Sequence, residues 1–256
     1  MMTSLESLQQ QLKTLRLSEV ADYLPTIIRQ AETEDWTYQV LLKKLTTYEL
    51  KRRNEKQIER QMKWAAFPAH TTLDMYQLNE QQTLSNRQMN QLSELNWVDQ
   101  LFNLILLGPA GVGKTHLATG LGIQAIERGY RVMFITMEEL IRTLKAEEIT
   151  RKAQIKMKRI RNANLVIIDD LMFMAMDQRE ANLFFHLIND LHDNASIILT
   201  SNKGPGEWGE LLGDQGITTA ILDRILHRVE VIQFHDEDSY RMKNRTSIFK
   251  GESVQN

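Results

Sequence analysis

Apolar residues change their spacing near residue 100. Before that point they recur at helical intervals, as in Leu5, Leu8, Leu12 and Leu15, and again in Leu41, Leu45 and Tyr48. Residues 1–64 hold one proline and no glycine, so an all-helical N-terminal domain over residues 1–66 is expected. Asp35 is placed to cap a helix that starts near Thr37. That helix ends in a basic run of Lys51, Arg52, Arg53, Lys56, Arg60 and Lys63, and Phe67-Pro68 breaks it. A connector rich in Gln and Asn follows over residues 67–98, with a short helix expected near Ser85–Leu95.

From Leu101 onward, short runs rich in Val, Ile and Leu alternate with amphipathic stretches. The runs are Leu101–Leu107, Arg131–Thr136, Leu165–Asp169, Ser196–Ser201 and Val229–Phe234. Their near-continuous apolar content is that of parallel strands buried on both faces. Between them, Lys114–Arg128, Glu138–Arg161, Gln178–Asp190 and Thr218–His227 read as helices, and Glu237–Ile248 as a last one. This alternation predicts an α/β module with a five-strand parallel sheet flanked by helices over residues 99–248, followed by a tail over 249–256.

Gly108, Pro109, Ala110, Gly111, Val112, Gly113, Lys114 and Thr115 fill the G-x-x-x-x-G-K-[ST] pattern between the first strand and the first helix of this module, and His116 continues it. A glycine-rich turn entering a helix gathers backbone N–H groups where the helix end is positive, which suits a phosphate chain. Lys114 supplies a charge for the β- and γ-phosphates, and the Thr115 hydroxyl a ligand for Mg²⁺. The pattern therefore implies ATP or another nucleoside triphosphate, with Mg²⁺.

Leu165–Asp169 ends in the acids Asp169 and Asp170, at the sheet edge where open α/β folds bind ligands. With the phosphate loop upstream, Asp169 reads as the Mg²⁺ partner and Asp170 as the group that polarises the attacking water. Asn202 ends the next strand at the same edge, where it can orient that water or simply begin the turn Lys203-Gly204-Pro205-Gly206. Arg224 and Arg241 are guanidinium candidates for neutralising the triphosphate.

Composition sets outer bounds. The 256 residues carry a formal net charge of −2 and no cysteine, which excludes disulfides and thiolate chemistry and matches a cytoplasmic protein. No apolar run reaches a membrane span, and the start has no signal-peptide pattern. A chain this acidic is not a uniformly basic nucleic-acid binder, so any DNA contact must be local. Two clusters offer one: Lys51, Arg52, Arg53 and Lys56, and a second of Arg151, Lys152, Lys156, Lys158, Arg159 and Arg161. Each serves equally as a solvated helix face. The histidines lack metal-binding spacing, and the four tryptophans lie too far apart in sequence for a stacking platform.

The segments GPAGVGKTHLA, LVIIDD, EANLFFHLI, SIILTSNKGPGEWGELLGD, AILDRILH and DSYR resemble the IstB family, AAA+ ATPases encoded beside transposases in insertion sequences. The likeness extends forward through YLP, KRRNEKQIER and AAFP. It implies an AAA+ P-loop fold, a homo-oligomer, and double-stranded DNA and a cognate transposase as partners. The little chain after Phe234 leads us to expect the helical lid of larger AAA+ proteins to be absent or minimal, and no membrane partner is expected. By the same likeness Asn202 is a first sensor, Arg224 an arginine finger acting on a neighbouring copy, and Arg241 a second sensor. DnaC-type helicase loaders share these positions, which keeps helicase loading and a nucleotide-gated DNA-binding scaffold as alternatives. Two departures stand out: Asp170 replaces the Glu usual in AAA+ proteins, and Met172–Met176 replaces a loop that usually carries Gly and Pro.

Overall fold

The computed structural model describes residues 3–76, 83–171, 176–209 and 215–235. The chain divides into two compact units, Met1–Gln61 and Met62–Asn256.

The first unit is built from α1 (Ser4–Thr14), α2 (Ser18–Thr33) and most of α3 (Tyr38–Ala65). A capping box between Thr3 and Glu6 starts α1. Helix α2 buries Val20, Ala21, Leu24 and Ile27, one face at helical spacing. Its N-cap residue, Leu17, offers no side-chain acceptor, so the Val20 N–H donates instead to Glu49 Oε2 of α3 at 2.9 Å. Glu49 is buried and holds Arg53 with its other oxygen at 2.7 Å. Pro25 lies inside α2 and cannot donate to Ala21 O; the Gln9 amide takes that place at 2.8 Å. Tyr23 and Tyr48 stack with ring centroids 4.2 Å apart. Asp35 does not cap α3: it adopts φ 51° in the preceding turn, and the Thr37 hydroxyl accepts from Val40 N at 3.4 Å.

The second unit begins in the last turn of α3 and contains α4 (Asn86–Ser93), α5 (Asn96–Asp99) and the sheet. A capping box of Ser85 and Gln88 starts α4, in the expected place. The strands are β1 (Asn103–Leu107), β2 (Val132–Thr136), β3 (Leu165–Asp169), β4 (Ser196–Ser201) and β5 (Val229–Gln233), in the order β2-β3-β4-β1-β5. Every pairing is parallel. β1, β3 and β4 are buried along their whole length, as their unbroken apolar sequences require, whereas β5 is an edge strand and mostly exposed. The helices between them are α6 (Lys114–Glu127), α7 (Met137–Ala146), α8 (Arg151–Arg161), α9 (Gln178–Leu191) and α10 (Gln215–Leu226).

Glu138–Arg161, expected as one helix, is two. The Thr150 side chain accepts from Ala153 N at 3.2 Å and starts α8 afresh, while Arg161 pairs with Glu147 across the break. Connector residues 67–76 pack on α6. At Gly120 a Cβ would lie 2.6 Å from Leu73 Cδ2, and at Gly122 one would lie 2.8 Å from Phe67 Cε1, so glycine is what lets the connector approach. The expected helix Glu237–Ile248 lies outside the described residues, as do Arg241 and residues 172–175 of the methionine-rich loop.

Candidate nucleotide site

The order of strands places β1 between β4 and β5, so the chain leaves β1 toward β3 and β2 on one side and returns from β4 to β5 on the other. The crevice at that switch, beyond the C-terminal strand ends, is where such sheets bind ligands. Residues 108–113 form the loop there. Gly108, Gly111 and Gly113 have φ of 145°, 88° and 97°. A Cβ at Gly108 would also fall 2.7 Å from Phe234 Cβ, just past β5, so the first glycine is required twice over. Val112 is fully buried and anchors the loop from beneath.

Lys114 is 6% exposed, and its ammonium donates to three oxygens: Gly108 O at 2.6 Å, Pro109 O at 2.7 Å and Asn202 Oδ1 at 2.8 Å. Phosphate oxygens are stronger acceptors for the same three donors. β4 thus brings Asn202 to the lysine. The loop that follows Asn202 is pinned by the buried Trp208, whose Nε1 donates to Lys203 O at 3.0 Å, and by Ser201 Oγ donating to the same carbonyl at 2.7 Å.

The Thr115 hydroxyl lies 3.0 and 3.2 Å from the two oxygens of Asp169. Burial pushes the Asp169 carboxyl above its usual range, and hydrogen bonds from Thr200 and Thr115 draw it back. A hydroxyl and a carboxylate side by side are hard oxygen ligands suited to Mg²⁺, which commonly takes one or two protein oxygens and completes its shell with water and phosphate. Among the described residues no group of three or more His, Asp or Glu side chains is arranged to hold a metal. Asp170 is exposed at the same edge with φ 57°.

His116 turns away from the loop: its Nε2 lies 3.4 Å from Thr72 O and its ring packs edge-on against Tyr76 at 5.4 Å. Arg224 is far from its own loop. On α10 it stacks over Phe185 at 4.8 Å and donates to Asn189 Oδ1 at 3.0 Å. Its surroundings include Asn103, Ala195 and Ile197, which mark the N-terminal strand ends. A five-residue strand rising about 3.3 Å per residue puts roughly 13 Å between those edges.

The basic clusters differ. Arg52, Arg53 and Lys56 are engaged by Glu55, Glu49 and Glu19, and Lys51 by Glu55 at 4.0 Å. In the second unit Lys156 pairs with Glu139 at 2.6 Å and Arg159 stacks over Trp64 at 4.5 Å. Lys158 is exposed and has no ion-pair partner among the described residues. Thr200, which the sequence reading passed over, sits at the centre of the acidic pair. Its hydroxyl donates to Asp169 Oδ1 at 2.6 Å and accepts from Asp170 N at 2.9 Å. The only trace in the sequence is a threonine in an otherwise apolar strand.

A phosphate loop between β1 and α6, acids at the end of β3 and an asparagine after β4, on a sheet in this order, define a P-loop ATPase of the AAA+ class. Residues 10–248 match the model of the IstB-like ATP binding proteins, and the chain belongs to that family. It is 37% identical over 240 residues to the ATP-binding protein of an IS21-like insertion sequence from Bacteroides fragilis, covering 94% of this chain and 91% of that one. It is 35% identical over 234 residues to the IS21 ATP-binding protein of Pseudomonas aeruginosa, covering 91% and 88%. Among solved structures, DnaA of Aquifex aeolicus bound to AMPPCP superposes with TM-score 0.56 at 21% identity, over 70% of this chain and 54% of that one. DnaI superposes with TM-score 0.54 at 20% identity, over 64% and 91%. These two likenesses carry the fold. No helix among the described residues is long and apolar enough to cross a membrane.

Proposed function

We propose that this ATPase is the transposition helper of an IS21-type insertion sequence: it binds ATP with Mg²⁺, assembles with further copies on duplex DNA and engages the cognate transposase. The observation that carries this reading is likeness across 94% of the chain to an insertion-sequence ATP-binding protein, joined to a phosphate loop with every specified position filled.

In this reading the loop N–H groups and Lys114 hold the phosphates, the lysine exchanging its carbonyl and Asn202 partners for phosphate oxygens. Thr115 directly and Asp169 through water would hold Mg²⁺, which would draw charge from the phosphate oxygens. Asp170 accepts a hydrogen bond from the attacking water and aligns it, and Asn202, released by Lys114, fixes that water or the γ-phosphate. Arg224 of a second copy neutralises charge developing in the transition state, since the same residue cannot reach its own loop. Arg241 is proposed as the second sensor by family resemblance alone. For DNA, Lys158 and Arg159, which no carboxylate engages among the described residues, form the better phosphate-contacting set. Lys51, Arg52, Arg53 and Lys56, like Lys156, are weaker candidates because carboxylates of their own unit already engage them. Helicase loading is the second reading, supported by fold likeness to DnaI.

The test is ATPase rate and assembly size with and without duplex DNA. The proposal expects DNA to raise both together; a monomer whose hydrolysis ignores DNA contradicts it.

A further inference from the structure

We propose that Thr200 is a positioning residue that sets both acids of the site through one hydroxyl. The proposal rests on the reading of Asp169 and Asp170 as the acids of ATP hydrolysis.

Thr200 is fully buried, between Leu199 and Ser201 in β4. Valine has the same shape and suits a buried parallel strand better, so the hydroxyl is there for its bonds. Both of its hydrogen-bonding roles go to the site: the O–H donates to Asp169 Oδ1 at 2.6 Å, and the oxygen accepts from Asp170 N at 2.9 Å. The Thr200 carbonyl accepts from Leu171 N at 3.0 Å, so the last residue of β3 and the two that follow it are tied to one residue of β4.

The location explains the arrangement. β3 and β4 remain in register as far as Ile168 and Leu199. One residue later the side chain replaces the ladder, and Asp170 turns to φ 57°. This left-handed conformation is uncommon for a residue with a Cβ and persists where the surroundings hold it. Asp169 stays buried against Thr115, and Asp170 directly after it is exposed. Thr115 reaches Asp169 from the phosphate loop, and Thr200 reaches it from the opposite side in chain terms, on β4. Free rotation of the Asp169 carboxylate would swing the oxygens that Thr115 faces, and a relaxed Asp170 backbone would move the second acid. Thr200 therefore couples the placement of the metal-facing acid to that of the water-facing acid.

The test compares Thr200→Val, which removes the hydroxyl, with Thr200→Ser, which keeps it. Hydrogen exchange of the Asp170 amide is followed in the nucleotide-free chain, alongside kcat, KM and ATP affinity without Mg²⁺. Thr200→Val should speed Asp170 exchange at least several-fold and lower kcat on the order of 10- to 100-fold, the scale of one lost hydrogen bond to a charged group. ATP affinity without Mg²⁺ should stay unchanged, because Lys114 and the loop are untouched. Thr200→Ser should restore both readouts. Should the valine variant fail to fold, Thr200→Ala removes the hydroxyl without setting a methyl against the carboxylate and carries the same comparison. Unchanged Asp170 exchange overturns the proposal, as does faster exchange with normal kcat. Asp170→Asn measured in parallel separates the two levels: normal hydrolysis there overturns the underlying assignment of the acids, whatever Thr200 does.

Discussion

Arg224 is expected to work on a neighbouring copy's nucleotide, because its placement keeps it from its own. Its guanidinium lies at the N-terminal end of the strands, packed on Phe185 and Asn189, while the phosphate loop occupies the C-terminal end. Roughly 13 Å of strand between the two edges exceeds the reach of one side chain that would also have to leave its packing. Arg224→Ala should therefore bind ATP normally and lose on the order of 10³-fold or more in kcat, the range for guanidinium groups supplied in trans. The decisive assay mixes Arg224→Ala with Asp170→Asn, each inactive alone. The first offers an intact phosphate loop and acids, the second an intact finger and a bound nucleotide. In a random one-to-one assembly with head-to-tail contacts, about one contact in four joins the two intact halves. The mixture should recover roughly a quarter of the wild-type rate per site, a gain of hundreds-fold over either parent. Co-assembled mixtures that stay at the parental rates would refute the reasoning.

Three further outcomes are expected. Lys114→Ala should abolish binding of fluorescent ATP, whereas Asp170→Asn should keep binding and stop phosphate release, because one group acts on bound phosphate and the other on the water. Glu49→Ala should lower the stability of the helical unit by about 2–3 kcal/mol in urea unfolding, since it leaves the buried Val20 N–H without its acceptor and Arg53 without its carboxylate; a loss below about 0.5 kcal/mol would mean that water serves as well. Lys158→Gln with Arg159→Gln should lower the salt slope of duplex binding by roughly 2, about 0.9 per phosphate contact, while neutralising Arg52 and Lys56 should change stability more than the slope.

Each of the five expected runs contains an observed strand; β1, β3 and β4 were legible because burial on both faces leaves unbroken apolar runs, whereas the exposed edge strand β5 was marked only by its Val and Ile residues. The phosphate loop was legible for a different reason: backbone conformation and close approach restrict it to glycine at fixed spacing. What escaped depended on partners distant in sequence or on two local options of similar strength. Asp35 and Thr37 are both good caps, and only the positive φ of Asp35 decides for Thr37. Thr150 reads as one polar position on a long amphipathic stretch until its hydroxyl is seen to start α8. Thr200 looks like ordinary strand threonine because its partners lie 30 and 31 residues upstream. The Glu49 cap and the Gln9 bond that compensates Pro25 likewise join different helices.

We propose above that bound ATP makes this chain, on DNA, a platform for a transposase. The most direct measurement is capture of that transposase on immobilised duplex DNA carrying this protein, with ATP and Mg²⁺, with ADP, and without nucleotide, using Lys114→Ala as the control. Capture is expected with ATP only, and none with the lysine variant. Equal capture in every nucleotide state, or capture of a replicative helicase in place of the transposase, would contradict it.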